Sequence, residues 1–221
     1  MATSVGPDHV PTYHEWMKDP DLLEATGSEP LSFDEEVKMQ QSWKEDESKC
    51  TFIVHATEAC KLPSKKIEKT QQNEEDGESG FEVDSNLEAM IGDVNLFLSD
   101  IEESHESDVE ISAQAIDSSL QAEVDIMIAR KEFRAKGLGR AATCTMLLYG
   151  ATKLGIKRFF CKINEDNTDS IRMFKAIGFE ECNYAACFKQ VELELQKSLH
   201  EMVEIFERYG NFSIIPCCAE Q

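Results

Sequence analysis

Apolar residues in the second half of the chain follow two alternating periods, about two and about three and a half, and the switches between them outline its elements. From Glu123 to Ile128 polar and apolar positions alternate, with Val and Ile at the apolar sites, which predicts a strand buried on one face. Helical spacing runs from about Leu138 to Leu154 and stops at Gly155, a capping glycine. Lys157 to Ile163 predicts the next strand, with Phe159, Cys161 and Ile163 on one face. Thr168 to Ala176 follows as a short helix ended by Gly178, then Asn183 to Leu195 as one long alternating strand, and 196–221 as a C-terminal helix with a frayed tail.

The first half is less regular. Residues 8–26 predict a helix with Tyr13, Trp16, Met17 and Leu22 as its apolar stripe, interrupted at Pro20. A second helix from Phe33 to Trp43 starts after Ser32, with Glu35 three residues on, the spacing of a capping box. Val37, Met39 or Gln40, and Trp43 are its expected sheet-facing residues. Thr51 to Ala56 and Met90 to Leu98 predict strands, the second with Gly92 and Asn95 marking a bulge or turn. Residues 57–89 and 100–121 lose periodicity and are acidic, which predicts two flexible insertions without a catalytic role. The order of elements from Glu123 onward predicts an α/β fold with a mixed, twisted sheet flanked by helices.

At 221 residues and 41% hydrophobic content, one domain with one core is expected. No apolar run reaches membrane-spanning length, and Met1 to Pro7 lacks the regions of a signal peptide, so the cytosol or nucleus is expected, with cytoplasmic the working assignment. Eight cysteines lack metal spacing with a His or Cys partner, so no metal site is expected and the thiols are read as reduced. Cys218-Ala219-Glu220-Gln221 has the length of a prenylation box, but Glu220 stands where an aliphatic residue is favoured.

The charge of −21 is uneven: residues 126–175 carry a net +7 and the other residues −28. An acidic shell excludes nucleic acid and anionic membranes as expected partners, while the basic segment suits a focused site for a phosphorylated ligand.

The chemistry of that site rests on two glycine-marked turns. Arg134-Ala135-Lys136-Gly137-Leu138-Gly139 follows the strand ending at Ile128 and opens the next helix. Such a turn aims backbone N–H groups and a helix N-terminus at one point, which attracts an anion, most often a pyrophosphate. The second turn is Asn167-Thr168-Asp169-Ser170-Ile171-Arg172-Met173-Phe174-Lys175-Ala176-Ile177-Gly178-Phe179.

Together these resemble the GNAT superfamily of acetyl-CoA-dependent N-acetyltransferases. Arg134, Gly137 and Gly139 match its Q/R-x-x-G-x-G/A motif, and Asn167, Ser170, Phe174, Gly178 and Phe179 match its N-x-x-S/A-x-x-x-aromatic-x-x-x-G-F element. Tyr13-His14-Glu15-Trp16-Met17, Ser28-Glu29-Pro30-Leu31, Lys49-Cys50-Thr51-Phe52-Ile53-Val54 and Ile91-Gly92-Asp93-Val94-Asn95-Leu96-Phe97-Leu98 are similar to the N-acetyltransferase 9 subfamily, which is associated with N-terminal acetylation of α- and β-tubulin. The resemblance covers residues 8 to about 195, broken by the two insertions.

It implies the GNAT fold and acetyl-CoA as co-substrate. Pantetheine is expected against the backbone of Met127, Ile128 and Ala129, and pyrophosphate against the N–H groups from Arg134 through Lys136, Gly137, Leu138 and Gly139 to Arg140. Asn167, Ser170 and Phe174 complete the expected cofactor set. Glu123 and Asp125 lie on the strand that supplies the family's carboxylate, so either is the expected base for the acceptor amine. Phe174 stands where the superfamily usually has a proton-donating Tyr, and Tyr149, Tyr184 or Ser170 are the candidate substitutes.

Subfamily members carry an apolar strand ahead of the Tyr13 helix. Only seven residues precede Asp8 here, so that N-terminal edge strand is expected to be missing. The leading reading is an acetyltransferase acting on a protein N-terminus, tubulin by resemblance. Its alternatives are a non-catalytic GNAT-fold protein that binds tubulin or microtubules, and an enzyme for a small amine.

Overall fold

The computed structural model describes residues 2–4, 6–56, 87–101 and 120–195, together with positions 201, 203 and 204. Seven strands among these residues form one sheet: β1 (Ala2–Ser4), β2 (Lys49–His55), β3 (Met90–Asp100), β4 (Leu120–Ile128), β5 (Arg158–Asn164), β6 (Phe179–Ala185) and β7 (Gln190–Leu195). Their spatial order is β1-β2-β3-β4-β5-β7-β6, with every neighbouring pair antiparallel except β4 and β5. Five helices pack on it: α1 (Val10–Trp16), α2 (Pro20–Thr26), α3 (Phe33–Glu45), α4 (Leu138–Tyr149) and α5 (Thr168–Ile177).

The two faces of the sheet are chemically unlike. On one, Phe52, Val54, Ile91, Val94, Leu96, Ala122, Val124, Phe159, Cys161, Ile163 and Leu193 meet Cys144, Met146 and Leu147 of α4 and Phe174 and Ile177 of α5 in the main apolar core. Gly150, at the end of α4, lets Phe159, Ile156 and Leu96 approach within about one side chain's width, and a π-helical turn (Gly150–Leu154) then ends at Gly155 with φ 71°. The other face carries Met127 and Ala129 under Met17 and Leu22, and beyond them the polar residues Asp93, Asn95 and Asp125.

Local signals explain most boundaries. Pro20 splits the first helical stretch, and the Asp19 carboxylate accepts from the Asp21 N–H to start α2. The Ser32–Glu35 capping box forms as its spacing predicts, with the Ser32 N–H donating to Glu35 Oε2 at 2.8 Å. The buried residues of α3 are Glu36 and Gln40, with Val37, Met39 and Trp43 only half-buried, because α3 lies over a polar part of the sheet.

Two expectations are corrected. The N-terminal edge strand is present: Ala2, Thr3 and Ser4 pair with Val54, Ile53 and Phe52. A short edge strand needs backbone pairing rather than an apolar pattern, so alternation gives no warning of it. The single strand expected over Asn183–Leu195 is instead a hairpin, β6 and β7, turning at Ala186–Lys189 with Lys189 at φ 52°. No Gly or Pro marks that turn, so the sequence reads through it.

The expected insertions fall mainly on 57–86 and 102–119, outside the described residues; of their margins, Leu87–Ala89 is a 3-10 turn, Asp100 ends β3, and Leu120 opens β4. Within 196–221, Glu201, Val203 and Glu204 are helical and the rest of the expected tail lies outside the described residues.

Gly92 sets the spacing of β3 and β4. The register against β2 skips Ile91 between Gly92 and Met90, a bulge at the position the glycine predicts. A Cβ on Gly92 would lie 1.8 Å from the Met127 carbonyl oxygen, a backbone atom that cannot step aside. Gly92→Ala is therefore expected to destabilise the fold by about 3 kcal/mol or more, read from urea unfolding midpoints; a loss under about 1 kcal/mol would contradict the close approach.

Candidate functional site

The site begins where β4 and β5 part. Their parallel pairing covers Gln121↔Arg158, Ala122↔Phe159 and Glu123↔Phe160. Beyond it β4 stays with β3 as far as Ile128, while β5 turns to β7 from Phe160 to Asn164. A groove of about 630 Å³ opens between the diverging ends. Its walls are Ile126, Met127 and Ile128 of β4, the 133–140 turn, Leu22, Ala25 and Thr26 of α2, and one face of α5.

The glycine turn forms one end of this groove. Gly137 sits at φ 78°, a conformation that strains any residue with a Cβ, and it is the N-cap of α4. Helices α2, α3 and α5 are each capped by their own Asp19, Ser32 and Asn167 side chains, whereas α4 has no side-chain cap. Its first-turn N–H groups are thus left to a ligand, and the helix dipole favours an anion there. A Cβ on Gly139 would meet Met173 Sδ at 3.4 Å and Ile128 Cγ1 at 3.5 Å, and Gly139 itself lines the groove.

Arg134 does more than head the turn. Its Nε donates to the Ile128 carbonyl at 2.8 Å and its Nη2 to the Ala129 carbonyl at 3.1 Å. These bonds clamp the loop to the end of β4, each stronger than a neutral pair because the donor is charged. On the same strand the Ile126 N–H donates to Asp125 Oδ1 at 2.8 Å.

Of the expected cofactor residues, Met127, Ile128, Arg134, Gly137, Gly139, Arg140, Asn167 and Ser170 line the groove. Ala129 is buried beside it, its N–H donating to Ile91 O. Lys136 stands over the Phe133 ring, and Leu138 packs against the core. Phe174 is fully buried, edge-to-face with Phe179 at 5.0 Å, and is absent from the groove wall. Among the candidate proton donors only Ser170 reaches the groove. Tyr149 meets Phe52 edge-to-face at 5.4 Å, and Tyr184 of the β6–β7 hairpin donates to Glu165 Oε2 at 2.6 Å.

The α2 wall escaped the sequence reading, since nothing in Leu22-Leu23-Glu24-Ala25-Thr26 announces what it covers. Met173 and Ala176 could have been found: they continue the Asn167–Ser170 face at helical spacing.

The two candidate bases differ. Glu123 Oε2 lies 3.1 Å from Lys162 Nζ, an ion pair on the sheet surface. Asp125 is pushed up from the ordinary carboxylate range by burial, against the Ile126 N–H bond that opposes the rise. Diagonal to it on β3, Asp93, which the sequence reading quoted only within a motif, is 3% exposed and pushed up to about 7 by burial and by the charge of Asp125. Among the described residues no group of His, Cys, Asp and Glu is arranged to hold a metal ion.

A strand pair splayed beside an uncapped, glycine-led helix defines a GNAT acetyltransferase, and the comparisons agree. The family described as "Acetyltransferase (GNAT) domain" matches residues 3–180, and the chain belongs to it. It is an acyltransferase. It is 38% identical over 219 residues to the human alpha/beta-tubulin-N-acetyltransferase 9, covering 95% of this chain and 90% of that protein. It is 39% identical over 190 residues to an N-acetyltransferase 9-like protein of Nematostella vectensis, covering 86% and 79%. Among solved structures, a spermidine N-acetyltransferase of Vibrio cholerae in complex with CoA and spermine superposes with a TM-score of 0.58 at 17% identity, over 88% of this chain and 92% of that one, which shows the shared fold.

Members of this family use an acyl-CoA, and the groove's size, open amides and basic rim suit one. Gly137→Glu places a carboxylate at the anion position and a Cβ at positive φ. Calorimetric titration with coenzyme A is expected to show binding by the wild type and at least about 100-fold weaker binding by this variant; equal affinities would remove the α4 N-terminus from the site.

Proposed function

We propose that this enzyme moves the acetyl group of acetyl-CoA to the α-amine of a protein N-terminus, with tubulin as the acceptor, in the cytoplasm. The observation that carries the reading is the groove at the β4–β5 divergence, bounded by the α4 N-terminus and by Ile126, Met127 and Ile128 of β4. The tubulin assignment is supported by the names of its human and mouse relatives. A net charge of −21 disfavours nucleic acid and anionic membrane as partners, and no helix among the described residues is long and apolar enough to cross a membrane.

The chain's own groups supply the proton transfers. The acceptor enters as an ammonium and must lose one proton before its lone pair can attack the thioester carbonyl. Asp125 suits that role better than Glu123, because burial raises its affinity for a proton while Glu123 is held by Lys162. The departing thiolate takes a proton in turn, and Ser170 is the hydroxyl on the groove wall near the second motif.

Mass spectrometry of a tubulin N-terminal peptide and of a lysine peptide with a blocked N-terminus, each with acetyl-CoA, tests the acceptor. Acetylation of the first with at least about tenfold preference is expected; preference for the lysine peptide would overturn the α-amine reading. Ser170→Ala is expected to lower kcat about tenfold or more, and a wild-type kcat would dismiss Ser170 as the donor.

A further inference from the structure

Helix α2 bridges the gap that β4 and β5 leave. On the β4 side, Met127 and Ala129 pack with Leu22 in one apolar cluster. On the β5 side, Asn164 Nδ2 donates to the Glu24 carbonyl at 3.1 Å. Asn164 is the last residue of β5, beyond Phe160 where the pairing with β4 ends. The same helix gives Asp21, Leu22, Ala25 and Thr26 to the groove wall. Both arms of the divergence therefore hold this wall.

The helix is otherwise lightly held. Of its seven residues only Leu22 is buried. Extended Asp19 precedes it and Gly27, at φ 61°, follows it, so both ends turn at positions able to hinge. Lys131, just past β4, lies 3.0 Å from Asp19 and 3.4 Å from Asp21, but its side chain is 60% exposed. Ion pairs so exposed contribute little and are screened by salt. Asn164 is better anchored. Its Oδ1 accepts from Gln190 Nε2 at 3.1 Å, and the two residues also pair along β5 and β7. That bond points the amide nitrogen at α2. The Glu24 carbonyl belongs to the last turn of the helix, where carbonyls lack the usual intrahelical partner.

We propose that Asn164 is a positioning residue that latches α2 across the parted strands, and that the coenzyme enters and leaves the groove when this latch opens. The inference rests on the reading of the groove as the coenzyme's. Asn164 does not line the groove and acts through α2. Without its bond, Leu22 and the exposed Lys131 pair are left to hold the helix, which then swings on Asp19 and Gly27 more often. A wall that opens more often admits the coenzyme faster and also releases it faster. A wall that had merely lost a contact would release it faster with entry unchanged. One net hydrogen bond corresponds to about fivefold in such an equilibrium.

The test is stopped-flow binding of coenzyme A, read from the fluorescence of Trp16, which packs on the Leu22 cluster. Trp43→Phe removes the chain's other tryptophan and serves as the background. In it, Asn164→Ala is expected to raise both the association and the dissociation rate, each about threefold to tenfold. Unchanged rates, or faster dissociation alone, would overturn the latch while leaving the coenzyme groove intact. A wild type that binds no coenzyme A in calorimetric titration would overturn both. Should Asn164→Ala fail to fold, Asn164→Ser decides. Its hydroxyl is too short to join Gln190 to the Glu24 carbonyl, so the same paired rise is expected and unchanged rates refute the latch.

Discussion

Everything at this site depends on β4 and β5 ceasing to pair after three residues. A strand that gives up its neighbour leaves backbone groups facing a groove, and each buried one left unbonded costs about 1–3 kcal/mol. The chain meets this locally. Arg134 takes the Ile128 and Ala129 carbonyls, and the Asp125 carboxylate takes the Ile126 N–H. On the opposite edge, Gly92 lets the Met127 carbonyl come close enough for β3 to hold the bent strand. The motif arginine thus has a structural task before any catalytic one. Its charge is engaged by carbonyls.

That division reframes the uneven charge. A net +7 over residues 126–175 suggested a cationic cradle, yet several of those cations are engaged elsewhere. Arg158 pairs with Glu194 at 2.8 Å, Lys162 with Glu123 at 3.1 Å, and Lys131 with Asp19 at 3.0 Å. What distinguishes the groove is less the number of cations than the orientation of uncapped N–H groups at the head of a 12-residue helix. Aligned dipoles held rigidly lose little on binding, whereas exposed lysines must be ordered first.

The sequence made the central β–α–β–α succession legible because each step is punctuated: alternation to Ile128, glycines at 137 and 139, Gly155, and Gly178. The groove-lining Met127, Ile128, Gly137, Gly139, Asn167 and Ser170 were expected through the family resemblance that the two glycine-marked turns carry. Failures came where nothing marks the event. Ala185-Ala186-Cys187-Phe188-Lys189 turns without Gly or Pro by placing Lys189 at positive φ, and β1 is too short to show a period. Phe174 keeps the motif's spacing but packs inward on Phe179, because an apolar ring gains more from the core than from a wet groove. Asp93 was hidden for another reason: in a strand pattern a polar residue reads as facing solvent, and nothing in β3 reveals that α1 and α3 cover it.

The two faces of the sheet therefore carry different burdens. Beneath α4 and α5 the core is mainly apolar, and each large side chain buried there contributes about 1.5–3 kcal/mol. Beneath α1 and α3 the chain buries Glu36, Gln40, Asp93 and Asn95, groups whose desolvation works against folding. An apolar replacement of that layer would be the more stable sheet. The close packing under α4 and α5 supplies the stability that lets the opposite face stay polar.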